Sequence, residues 1–220
     1  MLLAIDTATR LAGLALYDQA HGRFLGEETW YSANSHTVEL TPRLVRMLDQ
    51  QGLTPAGLDG LIVSLGPGSY TGLRIGLSVA KGLALSLALP LVGVPTLDVV
   101  AEPHKEQRLP ICALLQAGRR RFCAGHYYRY RGRWRRRGAF QLATLEEVCD
   151  QLVEPTLFCG EIEVEHAERI RERLGADAVV APPAASLRRA GYLAEMGWQR
   201  LSRGDADDPN QLSPIYLKQP

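Results

Sequence analysis

A largely apolar run, a glycine-rich turn and a long apolar helix follow one another near the middle of the first half of the chain. Residues 61–65 are apolar apart from one serine and include two β-branched side chains, which predicts a strand that is covered on both faces. The glycine–proline–glycine turn at 66–68 ends this run, and residues 71–87 are predicted to form a helix. Ser69 or Thr71 is placed to cap its first amides. Because its polar positions form only a narrow stripe, this helix is not predicted to lie alone on a surface.

Small residues recur every four positions along this helix, at Gly72, Gly76, Ala80 and Ala84. This spacing puts them on one helix face, where another backbone could approach closely. Glycine in a helix costs about 1 kcal/mol relative to alanine, so we expect packing to stabilise the segment. The pattern leaves two interpretations open, namely packing inside the same domain and packing against a partner subunit.

Around this segment, the pattern of apolar positions predicts two similar halves, each with a meander of strands followed by alternating helices and strands. In the first half the predicted strands span 2–7, 13–17, 24–31, 61–65 and 91–94, and the helices span 38–50, 71–87 and 96–101. In the second half the strands span 111–116, 122–130, 133–142, 156–159 and 178–180, and the helices span 144–152, 165–174 and 186–202.

This order predicts a duplicated α/β fold with mixed sheets flanked by helices. The segment 102–108 is charged and poor in apolar residues, and we therefore expect two lobes, 1–102 and 103–220. Pro42 lies inside the first predicted helix, so either Thr41 caps that helix or an earlier turn is kinked.

The composition indicates a globular protein and excludes some classes of function. The chain has 220 residues, 46% of them hydrophobic, and a net charge of +1, so no overall charge draws it to nucleic acid or membrane. Its four cysteines include no C-x-x-C pair, which argues against a metal site and predicts reduced thiols in the core. The apolar stretch 75–97 is interrupted by Lys81 and Pro90, and the amino terminus lacks a leader pattern. We therefore expect a cytoplasmic protein without membrane association.

A local basic segment stands out against this near-neutral background. Between residues 107 and 145 there are ten arginines and no acidic residue, interleaved with tyrosine and tryptophan. Such a hairpin could contact RNA phosphates, or it could be a solvated hairpin whose alternate aromatic side chains pack inward. The candidate RNA contacts are Arg129, Arg131, Arg133, Arg135, Arg136 and Arg137.

The sequence supplies no catalytic constellation and no nucleotide motif that fits. The glycines of residues 66–72 are spaced one residue too far apart for the dinucleotide fingerprint, and no Gly-Lys-Ser/Thr follows. Ser69 is not followed by glycine two residues later, as a hydrolase elbow would require. His36 has no second histidine or paired carboxylate at metal-ligand spacing, so we interpret it as a structural residue where the first helix begins. We predict no catalytic, cofactor-binding or metal-binding residue in the chain.

Three motifs resemble a known family: Ile5-Asp6-Thr7, the run GPGSYTGLRIG at 66–76 and the run VGVPTL at 92–97. They are similar to those of the TsaB family, also called YeaZ. The resemblance implies a fold of the actin/Hsp70/sugar-kinase type. It also implies an accessory role in the threonylcarbamoylation of adenosine beside the anticodon of tRNAs that read ANN codons.

The resemblance further implies a set of partners. They are a catalytic paralogue of the TsaD type, an ATPase of the TsaE type and tRNA bound through the complex, with a homodimer when the chain is alone. ATP and metal are then expected on the partner subunits and not on this chain. In the family, helices of the first half form the subunit contact, which here implies an interface of Val38, Leu44, Val45, Leu48, Gly72, Leu73, Gly76, Leu77, Ala80 and Ala84.

Several positions depart from what nucleotide and metal binding would need in this fold. Thr96 and Val100 stand where the paralogue carries two metal-binding histidines, and neither can replace such a ligand. Ala8 replaces the glycine of the first phosphate turn, and Gln116 replaces an aspartate of the second. An autonomous small-molecule kinase or ATPase of the same fold remains the alternative, and an RNA-binding module that acts alone is a third hypothesis.

Overall fold

The structure is a computed structural model that describes residues 1–33, 35–118 and 120–217. In chain order its strands are β1 (Leu2–Asp6), β2 (Leu11–Asp18), β3 (Arg23–Tyr31), β4 (Gly60–Gly66), β5 (Leu91–Pro95), β6 (Ile111–Gln116), β7 (Arg121–Tyr130), β8 (Arg133–Arg136), β9 (Gln141–Thr144), β10 (Thr156–Gly160) and β11 (Ala178–Val180). Its α-helices are α1 (His36–Gln50), α2 (Tyr70–Leu87), α3 (Thr96–Ala101), α4 (Leu145–Asp150), α5 (Val164–Leu174) and α6 (Ala190–Leu201).

The chain divides into two compact units. The first unit comprises Met1–Thr96 and Arg189–Ile215, and the second comprises Leu97–Arg188 and the chain from Tyr216 onward. This division differs from the predicted boundary after residue 102. The reason is that α6, which follows the second sheet in sequence, packs on the sheet of the first unit.

The first unit is a mixed five-stranded sheet with the order β3-β2-β1-β4-β5. Strand β1 pairs antiparallel with β2 and parallel with β4. Because side chains alternate along a strand, Leu61 and Val63 face one side and join the apolar cluster that includes residues of α1 and α2. Ile62 faces the other side and meets α6, where a Cβ on Gly197 would lie 2.2 Å from Ile62 Cγ1. A glycine at that position is what lets α6 lie close to β4.

The second unit repeats this topology, as the sequence predicts. Its sheet has the order β11-β10-β6-β7-β8, in which β6 pairs antiparallel with β7 and parallel with β10, and β9 also pairs with β7. Leu97 and Val100 of α3 pack on one face of this sheet, and residues of α4 and α5 pack on the other. The mixed sheets and flanking helices of the predicted fold class are therefore present in both units.

Most predicted bounds lie within two residues of the observed ones, and the larger differences are at 133–142 and at the start of α6. The strand predicted at 133–142 is two strands, β8 and β9, separated at Gly138, whose φ of +73° lies in the left-handed region. Helix α6 begins at Ala190, four residues later than predicted. Helix α1 begins at His36 and continues through Pro42, which is exposed, so water can reach the carbonyl group that the proline leaves without a helical donor.

The cysteines are core thiols, as predicted. All four are free and buried, and burial raises the pKa of Cys123 and of Cys149 to about 11. Such thiols are protonated and unreactive at neutral pH. None of the helices in the described ranges is both long enough and apolar enough to cross a bilayer.

Candidate functional site

The glycine-rich turn at 66–69 closes tightly on the turn that follows β1. The amide of Ser69 donates to the carbonyl oxygen of Ala8 over 2.6 Å, and the amide of Ala8 donates to Asp6 Oδ1 over 3.0 Å. A Cβ on Gly68 would lie only 2.2 Å from the carbonyl oxygen of Ala8. Asp6 Oδ1 also accepts a hydrogen bond from the Ser64 hydroxyl at 2.8 Å. The amides of Ala8 and Ser69 thus have acceptors inside the protein and are not available to a phosphate.

The candidate nucleophile and base of the sequence have structural roles here. Ser69 caps α2, because its hydroxyl oxygen accepts a hydrogen bond from the amide of Gly72 at 3.2 Å. The ring of His36 is buried, and its Nε2 lies 3.0 Å from the carbonyl oxygen of Thr9, which requires that nitrogen to carry the proton. These contacts confirm Ser69 as a cap, and they give the ring of His36 an acceptor inside the protein, in keeping with a structural role.

The first two glycines of the small-residue ridge pack against the carboxyl end of β1 and the residue that follows it, Thr7, in the same unit. A Cβ on Gly72 would lie 2.2 Å from the Thr7 carbonyl oxygen, and one on Gly76 would lie 2.2 Å from Thr7 Oγ1. The Thr7 hydroxyl itself donates to the carbonyl oxygen of Gly72 over 2.7 Å. The structure therefore decides between the two interpretations in favour of internal packing.

This placement corrects the predicted partner interface for most of its residues. Those buried within the first unit are Leu44, Leu48, Gly72, Leu73, Gly76, Leu77, Ala80 and Ala84. Val38 and Val45 are exposed instead, by 71% and 46%. Successive residues of an α-helix are rotated by about 100° around its axis, so Val38 lies well away from Leu44 and almost in line with Val45. Val38, Leu44, Val45 and Leu48 therefore do not share one face of α1.

The exposed apolar side chains of α1 and α2 define what we call the helix face, made of Val38, Val45, Tyr70 and Leu85. Tyr70 and Leu85 are 55% and 59% exposed. Between the two helices lies an open groove with a volume of about 420 Å³, lined in part by Thr41, Tyr70 and Arg74. The guanidinium carbon of Arg74 lies 4.0 Å from the centre of the Tyr70 ring. An apolar surface of this kind on a monomer is typical of an interaction site.

The second phosphate turn is occupied by a carboxylate. The amide of Gln116 donates to Glu161 Oε2 over 3.1 Å, and Glu161 Oε1 lies 3.7 Å from Arg188 Nη1. A phosphate at this turn would meet the negative charge of Glu161 and would have to displace it. Sequence reasoning did not identify Glu161, although a carboxylate directly after β10 was a signal that it could have used.

The two positions that correspond to the paralogue's histidines are part of the packing. Thr96 is fully buried, and its hydroxyl oxygen accepts a hydrogen bond from the amide of Gly66 at 2.9 Å. Val100 is buried in an apolar cluster of the second unit. Within the described ranges, no three His, Cys, Asp or Glu side chains are grouped so that they could hold a metal ion.

The arginine-rich segment forms the exposed hairpin of β7 and β8 in the second unit. Arg129, Arg131, Arg133, Arg135, Arg136 and Arg137 are all exposed. Tyr127 points inward and donates its hydroxyl to Asp98 Oδ1 over 2.7 Å, and burial raises the pKa of both groups. Trp134 donates its ring N–H to the carbonyl oxygen of Lys105. Tyr130 is 44% exposed, so the aromatic side chains are divided between the core and the surface.

Comparison with known proteins places this geometry in a family. A family model described as "TsaD: tRNA N6-adenosine threonylcarbamoyltransferase" matches residues 22–151, more than half of the chain. The tRNA threonylcarbamoyladenosine biosynthesis protein TsaB of Bacillus subtilis is 30% identical over 99% of this chain and 93% of the relative. The chain belongs to the TsaB family.

Further members of the TsaB family agree with this assignment. Escherichia coli TsaB is 37% identical over 46% of this chain and 42% of its own length. The solved structure of YeaZ from Pseudomonas aeruginosa has a TM-score of 0.79 and 25% identity, and covers 98% of this chain and 99% of its own. The resemblance inferred from the sequence motifs is confirmed, and so is the actin-like fold class of the family.

Proposed function

We propose that the chain is a non-catalytic accessory subunit in the biosynthesis of threonylcarbamoyladenosine in tRNA. The support is its similarity, over nearly the whole chain, to a protein whose name assigns it to this pathway. In this proposal the modified base is the adenosine beside the anticodon of tRNAs that read ANN codons. A catalytic paralogue of the TsaD type carries the transfer reaction, and an ATPase of the TsaE type joins the complex.

The observation that carries the proposal is the helix face of the first unit. Val38, Val45, Tyr70 and Leu85 expose apolar surface on α1 and α2, and Tyr70 lines the groove between these helices, although the same helices bury apolar residues against their own sheet. Burying such surface favours association by about 25 cal/mol per Å² of apolar area. We assign this face to the pairing with the catalytic paralogue, and to a homodimer when the chain is alone.

Backbone amides of both turns are hydrogen-bonded within the protein, and this supports a non-catalytic role. The amides of Ala8, Ser69 and Gln116 are bound to groups of the protein, and the carboxylate at the second turn repels a phosphate. ATP and metal are accordingly assigned to the partner subunits. The alternative of an autonomous kinase or ATPase is weaker, because it would require both turns to open.

A matched pair of double variants tests the assignment of the helix face. Val38→Glu with Val45→Glu places two charges on the helix face, whereas Val153→Glu with Val164→Glu places two charges on valines of the second unit that are 88% and 75% exposed. Because all four side chains are exposed, both variants are expected to fold. Affinity for the purified paralogue is measured by calorimetry, and threonylcarbamoyladenosine formation is measured by mass spectrometry of the tRNA.

We expect the first variant to bind the paralogue at least about 30-fold more weakly, as for the loss of an interface hot spot, and to lose modification. The control variant is expected to keep both activities. Equal affinity in the two variants would show that the helix face is not the pairing surface. Absence of any modification with the parent chain would contradict the proposed function itself.

A further inference from the structure

The arginine hairpin of β7 and β8 is not explained by pairing with a paralogue. Its tip is a two-residue loop, Arg131-Gly132, with both φ angles positive, at 50° and 77°. Such a loop matches the twist of the two strands and holds them in a fixed register. The register in turn decides which side chains share a face of the hairpin.

Two faces follow from the cross-strand pairs. Tyr128 pairs with Arg135 and Tyr130 pairs with Arg133, which places these four side chains on one face. The intervening pairs, Tyr127 with Arg136 and Arg129 with Trp134, lie on the opposite face. We call the first the outer face and the second the inner face. Arg137 belongs to the outer face, because its guanidinium carbon lies 4.9 Å from the centre of the Tyr128 ring.

The inner face is tied to the second unit. Tyr127 and Trp134 donate hydrogen bonds to Asp98 and to the carbonyl oxygen of Lys105. Arg136 lies 3.8 Å from Asp98 Oδ1 and donates to the carbonyl oxygen of Gly138 over 3.2 Å. These contacts anchor the hairpin and neutralise part of the positive charge on this face.

The outer face carries positive charge that is held in place and is only partly neutralised. Arg131 and Arg135 lie 5.3 Å and 5.6 Å from the centre of the Tyr130 ring. Among the described residues, no carboxylate lies within ion-pair distance of Arg133 or Arg135. Arg137 forms an ion pair with Glu154, in which Nη2 lies 3.2 Å from Oε1. A tyrosine ring beneath a guanidinium group restricts its motion and leaves N–H groups available to a ligand.

Resting on the proposed function, we propose that the outer face of this hairpin binds phosphates of the tRNA backbone. Side chains two residues apart on one face of a strand are about 6.6 Å apart, so Arg133, Arg135 and Arg137 form a row of cations. Guanidinium groups bind phosphate oxygens in pairs of parallel hydrogen bonds, and ordered arginines lose less entropy when they do so. RNA is favoured over an acidic protein because a row of cations follows a phosphate backbone without needing a matched set of carboxylates.

A comparison of two double variants with equal charge tests this inference. Arg133→Gln with Arg135→Gln removes two cations from the outer face, and Arg129→Gln with Arg136→Gln removes two from the inner face. An unmodified tRNA transcript with adenosine beside the anticodon is titrated by fluorescence anisotropy at salt concentrations from 0.1 to 0.5 M. The titrations use both the assembled complex with the paralogue and the isolated chain, so the comparison holds whether or not a complex forms.

For the outer-face variant we expect the slope of log affinity against log salt to fall by about 1.4, from a slope of roughly 0.7 per phosphate contact. The ratio of parent to variant affinity then shrinks about tenfold between 0.1 and 0.5 M salt. The inner-face variant is expected to keep the parent slope. As a second measure, Tyr130→Phe should keep the parent affinity, whereas Tyr130→Ala should weaken it, because only phenylalanine preserves the ring beneath the arginines.

Two results would overturn the inference. Equal slopes of log affinity against log salt for the two double variants would show that tRNA binding depends on net charge alone and does not involve the outer face. A parent-like tRNA slope combined with weaker assembly of the outer-face variant would identify the surface as a contact for an acidic protein. Either result leaves the proposed function standing as long as the parent chain supports tRNA modification, which is measured in the same mixtures.

Discussion

Substituting alanine at two glycines of α2 should have opposite effects on stability, because the two positions have opposite surroundings. At Gly72 a Cβ would lie 2.2 Å from the carbonyl oxygen of Thr7, a buried residue that directly follows strand β1. At Gly82, in the same helix, a Cβ would have no neighbour within 4 Å. Gly82→Ala is therefore a control with the same chemical change and the same helical setting.

The expected magnitudes follow from these distances. Both substitutions gain about 1 kcal/mol from the better helix propensity of alanine. Gly72→Ala also introduces a contact about 1 Å shorter than packed atoms tolerate, and overpacking of this kind costs up to about 3 kcal/mol. We expect a net loss of about 2 kcal/mol for Gly72→Ala and a gain of up to about 1 kcal/mol for Gly82→Ala. In a chain of this size, 1 kcal/mol shifts the melting temperature by about 2–4 °C.

Thermal and urea denaturation of the isolated chain, followed by far-UV circular dichroism, measures both effects. Gly76→Ala is included because a Cβ there would lie 2.2 Å from Thr7 Oγ1, the hydroxyl that donates to the carbonyl oxygen of Gly72. If Gly72→Ala and Gly76→Ala stabilise the isolated chain as Gly82→Ala does, α2 does not lie against β1. The small-residue ridge would then be free for a partner, and our assignment of it to internal packing would be wrong.

Three further predictions concern the second unit and the phosphate turns. Tyr127→Phe removes the donor to the partly buried carboxylate of Asp98, and urea denaturation should show a loss of about 1.5 kcal/mol, whereas no loss would mean that the hydrogen bond is not formed. Burial and the charge of Arg137 lower the pKa of His126 from 6.5. The folded protein therefore takes up a proton at His126 less readily than the unfolded chain, and its free energy of unfolding should decrease as the pH falls below about 6.5. In Arg137→Gln the pKa of His126, measured by NMR titration, should rise towards 6.5, and an unchanged value would remove Arg137 as a cause. Calorimetry of the isolated chain with Mg-ATP should show no binding, whereas a dissociation constant in the low micromolar range would favour the kinase alternative.

The order of strands and helices along the chain and the duplication could be predicted, because both depend on local pattern. The apolar run at 61–65 and its glycine turn define β4 and the start of α2, and the capping sequence at 144–147 marks the start of α4. In the structure the Thr144 and Glu147 side chains form a capping box, the arrangement typical of a threonine followed three residues later by glutamate. These features need only neighbouring residues, and a sequence shows which residues are neighbours along the chain.

A sequence pattern does not identify the element against which one side of a helix packs. The spacing of Gly72 and Gly76 predicts a close backbone approach, and a close approach is found, but the spacing does not say which backbone approaches. Similarly, α6 follows the second sheet in the chain and packs on the first, with Gly197 against Ile62. In α1 the residues predicted at the interface divide in the same way, because Leu44 and Leu48 are buried in the first unit whereas Val38 and Val45 are exposed.

The contacts at the two turns give a physical reason why the proposed non-catalytic role and the proposed interaction role are compatible in this chain. A phosphate site requires backbone amides that are unpaired in the folded protein. Here the amide of Ala8 is bound by Asp6, that of Gly66 by Thr96 and that of Gln116 by Glu161, so the folded state satisfies these donors without a ligand. Because each of these donors has a protein acceptor, both turns keep their shape without nucleotide and can hold the surrounding helices and strands in position. Under the proposed function, such a unit would act through its surface. The helix face and the arginine hairpin are the surfaces on which we therefore expect substitutions to change activity without changing stability.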